Sequence, residues 1–274
     1  MRTSRSSRSP LLWIFLAIVL IFTILPLIMI FIYSINGSAY GGWPPPSLTT
    51  RWFVKVFHER EFIGVTRFSV LVAAASSVVG LLCGGLAAFA AWRWTNRLTG
   101  AFQALLLLPL AAPKIALGLA GFLLFQQIHV YGSFYELVPF HALLILPFSM
   151  SIIGASLVRL DRTVEEAAHD LGASMTQTIL RVIVPQVRTS LIVAALLGFV
   201  ISFDEFDATI ILANPANPTF TVALYNYIQK FADPSGAALA TLLVAASFVV
   251  VSISWLLMRR AGRVDDLVPG GSHG

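Results

Sequence analysis

RLDRTVEEAAHDLGASMTQTILRVIVP, residues 159–185, is the one long polar interval in an otherwise apolar chain. It carries four acids (Asp161, Glu165, Glu166, Asp170) and three arginines (Arg159, Arg162, Arg181). Apolar runs lie on both sides of it, each long enough to cross a bilayer, which takes about 20 helical residues. A polar helical insert between two spans must sit in water, where it can meet a soluble partner. The interval is therefore a docking element, and the fold around it is all-α and polytopic.

Composition supports that architecture. A soluble domain carries about 25% charged residues. Here 11% of 274 residues are charged, 57% are hydrophobic, and the mean hydropathy is +0.83. A soluble single domain is excluded. The net charge of +5 reads as cytoplasmic loop anchors and not as affinity for nucleic acid. The single cysteine, Cys83, lies in an apolar run, so it forms no intrachain disulfide and has no companion at metal-ligand spacing.

Working outward from the insert, six spans are predicted over residues 11–33, 62–92, 101–126, 134–158, 189–213 and 236–258. The first is too long for a cleaved signal peptide and is retained, after a polar tail of residues 1–10. A turn-rich segment with Gly41-Gly42 and Pro44-Pro45-Pro46 follows it. Residues 48–62 then mix Trp52, Phe53, Phe57 and Phe62 with charges, which suits a short interfacial helix. Gly80 and Gly84 form a small-residue pair of the kind that lets membrane helices approach closely. Pro109 and Pro113 predict a break in the third span, directly before Lys114. Residues 264–274 are a tail, and its end, LVPGGSHG, reads as a tag remnant outside the fold.

Charge asymmetry orients the layout. Twelve arginines fall on one side of the six spans and five basic residues on the other, with Lys114 inside a span. Basic residues favour the cytoplasm, so residues 159–188 and both termini are placed there.

Within the insert, Thr163 with Glu166 and Ser174 with Gln177 both fit capping boxes. They predict a helix over 163–171, a turn at Gly172-Ala173, and a second helix from Ser174 toward Pro185. Ala167 and Ala168 give the first helix a smooth surface that a groove could accept. A plain cytoplasmic hairpin is the bland alternative. A DNA-reading helix-turn-helix is disfavoured because the acids offset the arginines and membrane spans adjoin it.

Glu166-Ala167-Ala168, then Gly172, Val182 and Val184-Pro185, resembles the EAA signature of ABC-transporter permease subunits, with valines in the places of its Ile and Leu. The six-span layout is similar to that of type I importer permeases. The resemblance implies a coupling loop docked on an ATPase through Glu165, Glu166, Ala167, Ala168, Asp170, Gly172 and Pro185. It also implies an ATPase dimer, a second homologous permease, an extracytoplasmic substrate-binding protein, and residence in a bacterial plasma (inner) membrane. The chain has no GxxxxGK[ST] and cannot build a P-loop. Neither cofactor nor metal is expected here, and ATP with its Mg belongs to the partner. A secondary transporter or channel without an ATPase is the reading from another class.

The second informative stretch is Ser202-Phe203-Asp204-Glu205-Phe206-Asp207, toward the far end of the fifth span. Ionisable groups in a span are costly and usually face a protein interior or a water path. On a helix Asp204 and Asp207 share a face, and Glu205 points about 100° away. Carboxylates beside aromatics suit a cationic amine. Ser202, Phe203, Asp204, Glu205 and Asp207 are therefore candidates for lining the substrate path. The alternatives place Asp207 at the interface and pair Glu205 with a base such as Lys114. The stretch looks like the polyamine branch of these permeases, which implies putrescine- or spermidine-like cargo, with an opine or aminophosphonate as runner-up. His129 and His141 lie near span ends and read as structural. The chain has neither HExxH nor GxSxG, and no enzymatic role is expected.

Overall fold

The computed structural model describes residues 10–40, 42–94, 96–130 and 134–267. Both terminal tails, 1–9 and 268–274, with most of the tag-like end, lie outside the described residues. Every regular element among the described residues is helical. They are α1 (Pro10–Ser34), α2 (Arg51–His58), α3 (Arg60–Arg93), α4 (Arg97–Ala111), α5 (Lys114–Gln127), α6 (Phe134–Leu157), α7 (Arg162–Asp170), α8 (Met175–Thr178), α9 (Val184–Phe203), α10 (Thr209–Leu212), α11 (Phe220–Lys230) and α12 (Ser235–Leu267). Five helices are long and apolar enough to span a membrane, or six when α4 and α5 count as one bent span. The chain divides into two units, Met1–Arg60 with Leu224–Ala245, and Glu61–Ala223 with Ala246–Gly274.

In the first unit, α1 turns its side chains outward along its length, with Leu11 and Phe22 each 78% exposed. Such a surface requires lipid or another apolar partner. The segment after α1 folds back through a bridge between Asn36 and Leu48. The expected interfacial helix is present as α2, but Trp52 is not an outward anchor. Trp52 is buried, and its Nε1 donates to the Asn36 carbonyl at 2.7 Å. Phe57 keeps the exposed position. Lys55 donates to Asp233 at 2.8 Å and to Tyr227 at 3.2 Å, which clasps α2 to the turn before α12.

In the second unit α6 is central, and it packs along α9. The glycine pair of α3 meets it as the spacing predicted. A Cβ at Gly80 would lie 2.7 Å from Ile145 and one at Gly84 2.7 Å from Ser149. From the other side, a Cβ at Gly198 of α9 would lie 2.8 Å from the same Ile145. Ile145 is fully buried. One apolar cluster joins Ala88, Trp92, Ile153, Leu157, Ile183 and Val187, and a second joins Val72, Leu137, Phe140, Leu144, Ala208 and Leu212.

The break expected in the third span is present and sharp: α4 and α5 meet at 106° across Ala112 and Pro113. The fifth span departs from the sequence reading, beginning earlier and ending earlier than predicted. A continuous helix runs from Met175 to Phe203, through a π-helical turn at Ile179–Ile183. Pro185 lacks an N–H and cannot continue a regular α-ladder. The wider turn lets the Val184 N–H reach the Ile179 carbonyl just before it, so the helix passes the proline unbroken.

Candidate functional site

The docking stretch is built from local rules. Asp161, not Thr163, caps α7, and its Oδ1 accepts from the Thr163 N–H at 2.9 Å. That bond holds the exposed Asp161 carboxyl below its usual range. Both residues are good caps, and aspartate ranks above threonine in that position. The Ser174–Gln177 capping box forms as expected, with both reciprocal bonds in place. Between the helices Gly172 adopts φ +83°, a left-handed conformation that glycine enters without a Cβ penalty. Its N–H donates to the His169 carbonyl at 2.8 Å, closing α7.

The residues proposed for docking separate into two groups. Glu166, Ala167, Asp170 and Gly172 are exposed, and Ala168 is half-buried. Leu171, 89% exposed, extends the same surface with an apolar side chain that sequence reading passed over. Glu165 is turned inward, where Arg93 of α3 donates to it at 2.6 Å. It anchors the loop to the chain and does not present itself outward. Pro185 is exposed but lies well inside the Met175–Phe203 helix, away from the turn. Arg93 had carried only an orientation signal, since its partner is 72 residues away in sequence.

The acid stretch is not helical. Phe203 ends α9, Asp204 caps it, and the chain stays irregular until α10. Asp204 and Asp207 therefore share no helix face. The break is held by buried polar contacts. His141 of α6 shares hydrogen bonds with the Ser202 hydroxyl at 2.7 Å and the Thr209 hydroxyl at 2.9 Å, stapling the end of α9 to the start of α10. Thr221 donates to the Glu205 carbonyl at 2.8 Å. On α5, a Cβ at Gly118 would lie 2.8 Å from the Ala208 backbone, so glycine admits the turn against that helix.

The five path candidates occupy different surroundings. Ser202 is buried on His141. Phe203 stacks with Phe199 and Phe220 at centroid distances of 5.8 and 5.7 Å. Asp207 is exposed. Asp204 and Glu205 line one cavity of about 350 Å³, together with Pro109, Lys114, Phe148 and Ile201 among others. Asp204 accepts from the Ser247 hydroxyl at 3.0 and 3.2 Å. Glu205, 2% exposed, receives the Lys114 ammonium at 2.7 Å. The cavity thus offers an apolar wall, one carboxylate compensated from within the chain, and one with no ion pair among the described residues. It suits a small alkyl cation. Sequence reading classed His141 as structural and did not connect it with this turn.

Comparison with known proteins fixes the class. The family described as "Binding-protein-dependent transport system inner membrane component" matches residues 76–263, and the chain belongs to it. The chain is 28% identical over 275 residues to the putrescine transport system permease protein PotI of Escherichia coli (strain K12), covering 95% of each. It is 25% identical over 246 residues to the spermidine/putrescine transport system permease protein PotC of the same strain, covering 89% of this chain and 92% of that one. Its fold also matches a bacterial alginate ABC transporter solved in complex with an alginate pentasaccharide-bound periplasmic protein. The TM-score there is 0.66 at 17% identity, covering 92% of this chain and 95% of that chain. The protein is a multi-pass bacterial inner-membrane permease subunit of an ABC importer, a transport component and not an enzyme.

Proposed function

We propose that the cargo is a polyamine, putrescine-like in size, and that it passes the cavity at the α9–α10 break. The observation that carries this is Asp204, a carboxylate at an apolar cavity with only a hydroxyl for company. An ammonium brought there gains a charge pair with a carboxylate that meets no cation among the described residues. The putrescine and spermidine/putrescine permeases among the relatives support the same chemistry.

In this reading α7 is the coupling helix. Glu166, Ala167, Asp170, Gly172 and Leu171 form its outward surface for a partner ATPase, Ala168 sits at its edge, and Glu165 with Arg93 fixes it to α3. A second permease completes the path, and a binding protein delivers cargo from outside. The basic side of the chain, with both termini and residues 159–188, faces the cytoplasm. Closure of the ATP-bound ATPases drives alternating access.

The test is uptake of labelled putrescine by the reconstituted importer. Asp204→Asn should reduce kcat/KM by roughly tenfold or more, as expected when a charge-assisted contact is lost. Unchanged uptake by Asp204→Asn would remove this residue from the path.

A further inference from the structure

Two carboxylates stand at the cavity, and the chain treats them differently. Glu205 is buried, its Oε2 takes the Lys114 ammonium at 2.7 Å, and its Oε1 takes the Ala208 N–H at 3.1 Å. Asp204 is exposed and has no cation partner among the described residues. Lys114 is the first residue of α5, directly after the 106° break. Its side chain is 51% exposed although the carboxylate it serves is 1% exposed. It lines the cavity and can therefore swing off Glu205 into that space, on a flexible four-carbon stem. Glu205 cannot follow, and a buried carboxylate stripped of its cation is strongly penalised. The group that compensates it is a primary alkylammonium, the same group found at each end of a diamine.

We propose that Lys114 is a tethered stand-in for a cargo ammonium. It neutralises Glu205 while the cavity is empty. It exchanges with one end of a diamine whose other end is held by Asp204. The proposal rests on the polyamine reading above. One ammonium leaves Glu205 only as another arrives, so the buried carboxylate is never bare. While the path is empty Glu205 then attracts no inorganic cation, and a loaded path is cleared when Lys114 returns and displaces the cargo from it.

The test uses the complete importer in proteoliposomes, with its partner permease, ATPases and binding protein, and labelled putrescine. Two quantities are read, the uptake rate and the putrescine retained by the solubilised complex after washing. Lys114→Met should slow uptake by about tenfold while retention rises by a similar factor, because nothing displaces the cargo from Glu205. The double variant Lys114→Met with Glu205→Gln should lose the excess retention. Lys114→Cys in a Cys83→Ser background, S-aminoethylated after assembly, should regain wild-type rate and retention, whereas a neutral S-alkyl group of equal length should not. A merely structural ion pair predicts less assembled complex, retention no higher than wild type, and no recovery on aminoethylation. That pattern overturns the exchange. Absence of putrescine uptake by the wild-type importer would instead defeat the polyamine reading, and the exchange would fall with it.

Discussion

Asp233 shows how one residue's charge can organise a turn. Burial pushes its carboxyl up, but hydrogen bonds from Lys55, Tyr227 and Ser235 together outweigh that and hold it below the ordinary 3.8. Lys55 moves the opposite way, raised above 10.5 chiefly by its bond to Asp233. The signs bracket the clasp. A depressed acid stabilises above its unfolded pKa and loses that contribution as pH falls through the folded value. A raised lysine stabilises below its unfolded pKa and loses its contribution as pH climbs through the folded one. The clasp should therefore be intact throughout the neutral range and open only below pH 3.8 or above pH 10.5. Amide exchange at Ser235, whose N–H donates to Asp233 at 3.0 Å, reports it. Asp233→Asn should abolish the acid-side change, and a persisting change would assign it to another group. Residue-scale features were legible where their cause is local. Gly172 and the Ser174–Gln177 box could be read because their partners lie within three or four residues. The Lys55 partner is 178 residues away and could not.

At the scale of elements, the helices were readable and their interruptions only partly so. Pro109 and Pro113 announce the break between α4 and α5. The break after Phe203 has no glycine or proline within it. It depends on His141, which is 61 and 68 residues from its two hydroxyl partners, and on Lys114, 91 residues from Glu205. Such contacts leave no periodic trace, which is why a helix through Asp204 was the natural expectation. The helix packing was more accessible, because small residues at a four-residue spacing mark a close approach. Ile145 is held between Gly80 and Gly198, and neither side has room for a methyl group. Gly198→Leu should therefore separate α9 from α6 and destabilise the protein by about 1–3 kcal/mol or more, as overpacking does. The thermal midpoint of the detergent-solubilised chain measures this. Gly64→Ala, where an added methyl would meet no atom within 4 Å, is the control; it lies inside α3, where alanine favours the helix, and should not lower the midpoint.

For the whole molecule, the proposed function rests on two places at opposite ends of one helix. The exposed face of α7 can be altered without disturbing its anchor, since Ala167 is exposed while Glu165 carries the contact with α3. Ala167→Trp should leave the chain folded and inserted but reduce ATPase capture and ATP-driven uptake by about tenfold, a loss typical of a blocked interface centre. Capture at the wild-type level would show that α7 is not the coupling surface. The class of the molecule was legible because its signature is short and contiguous. The candidate cavity was less so, since it is assembled from α4, α5, α6 and α9.

The helix from Met175 to Phe203 passes its proline without a break, and this has a mechanical consequence. At about 1.5 Å per residue its 29 residues form a rod of about 43 Å, beginning beside the turn at Gly172 and ending where Asp204 meets the cavity. No loop lies between the two ends to absorb a displacement. A push delivered at the Ser174 cap would arrive at the Asp204 end as motion of the rod itself, less whatever its winding takes up. The π turn at Ile179–Ile183 is the one place along it where an extra residue is stored in the winding. It would act as the rod's slack, setting how far the end beside Gly172 can move before the end at Asp204 must follow.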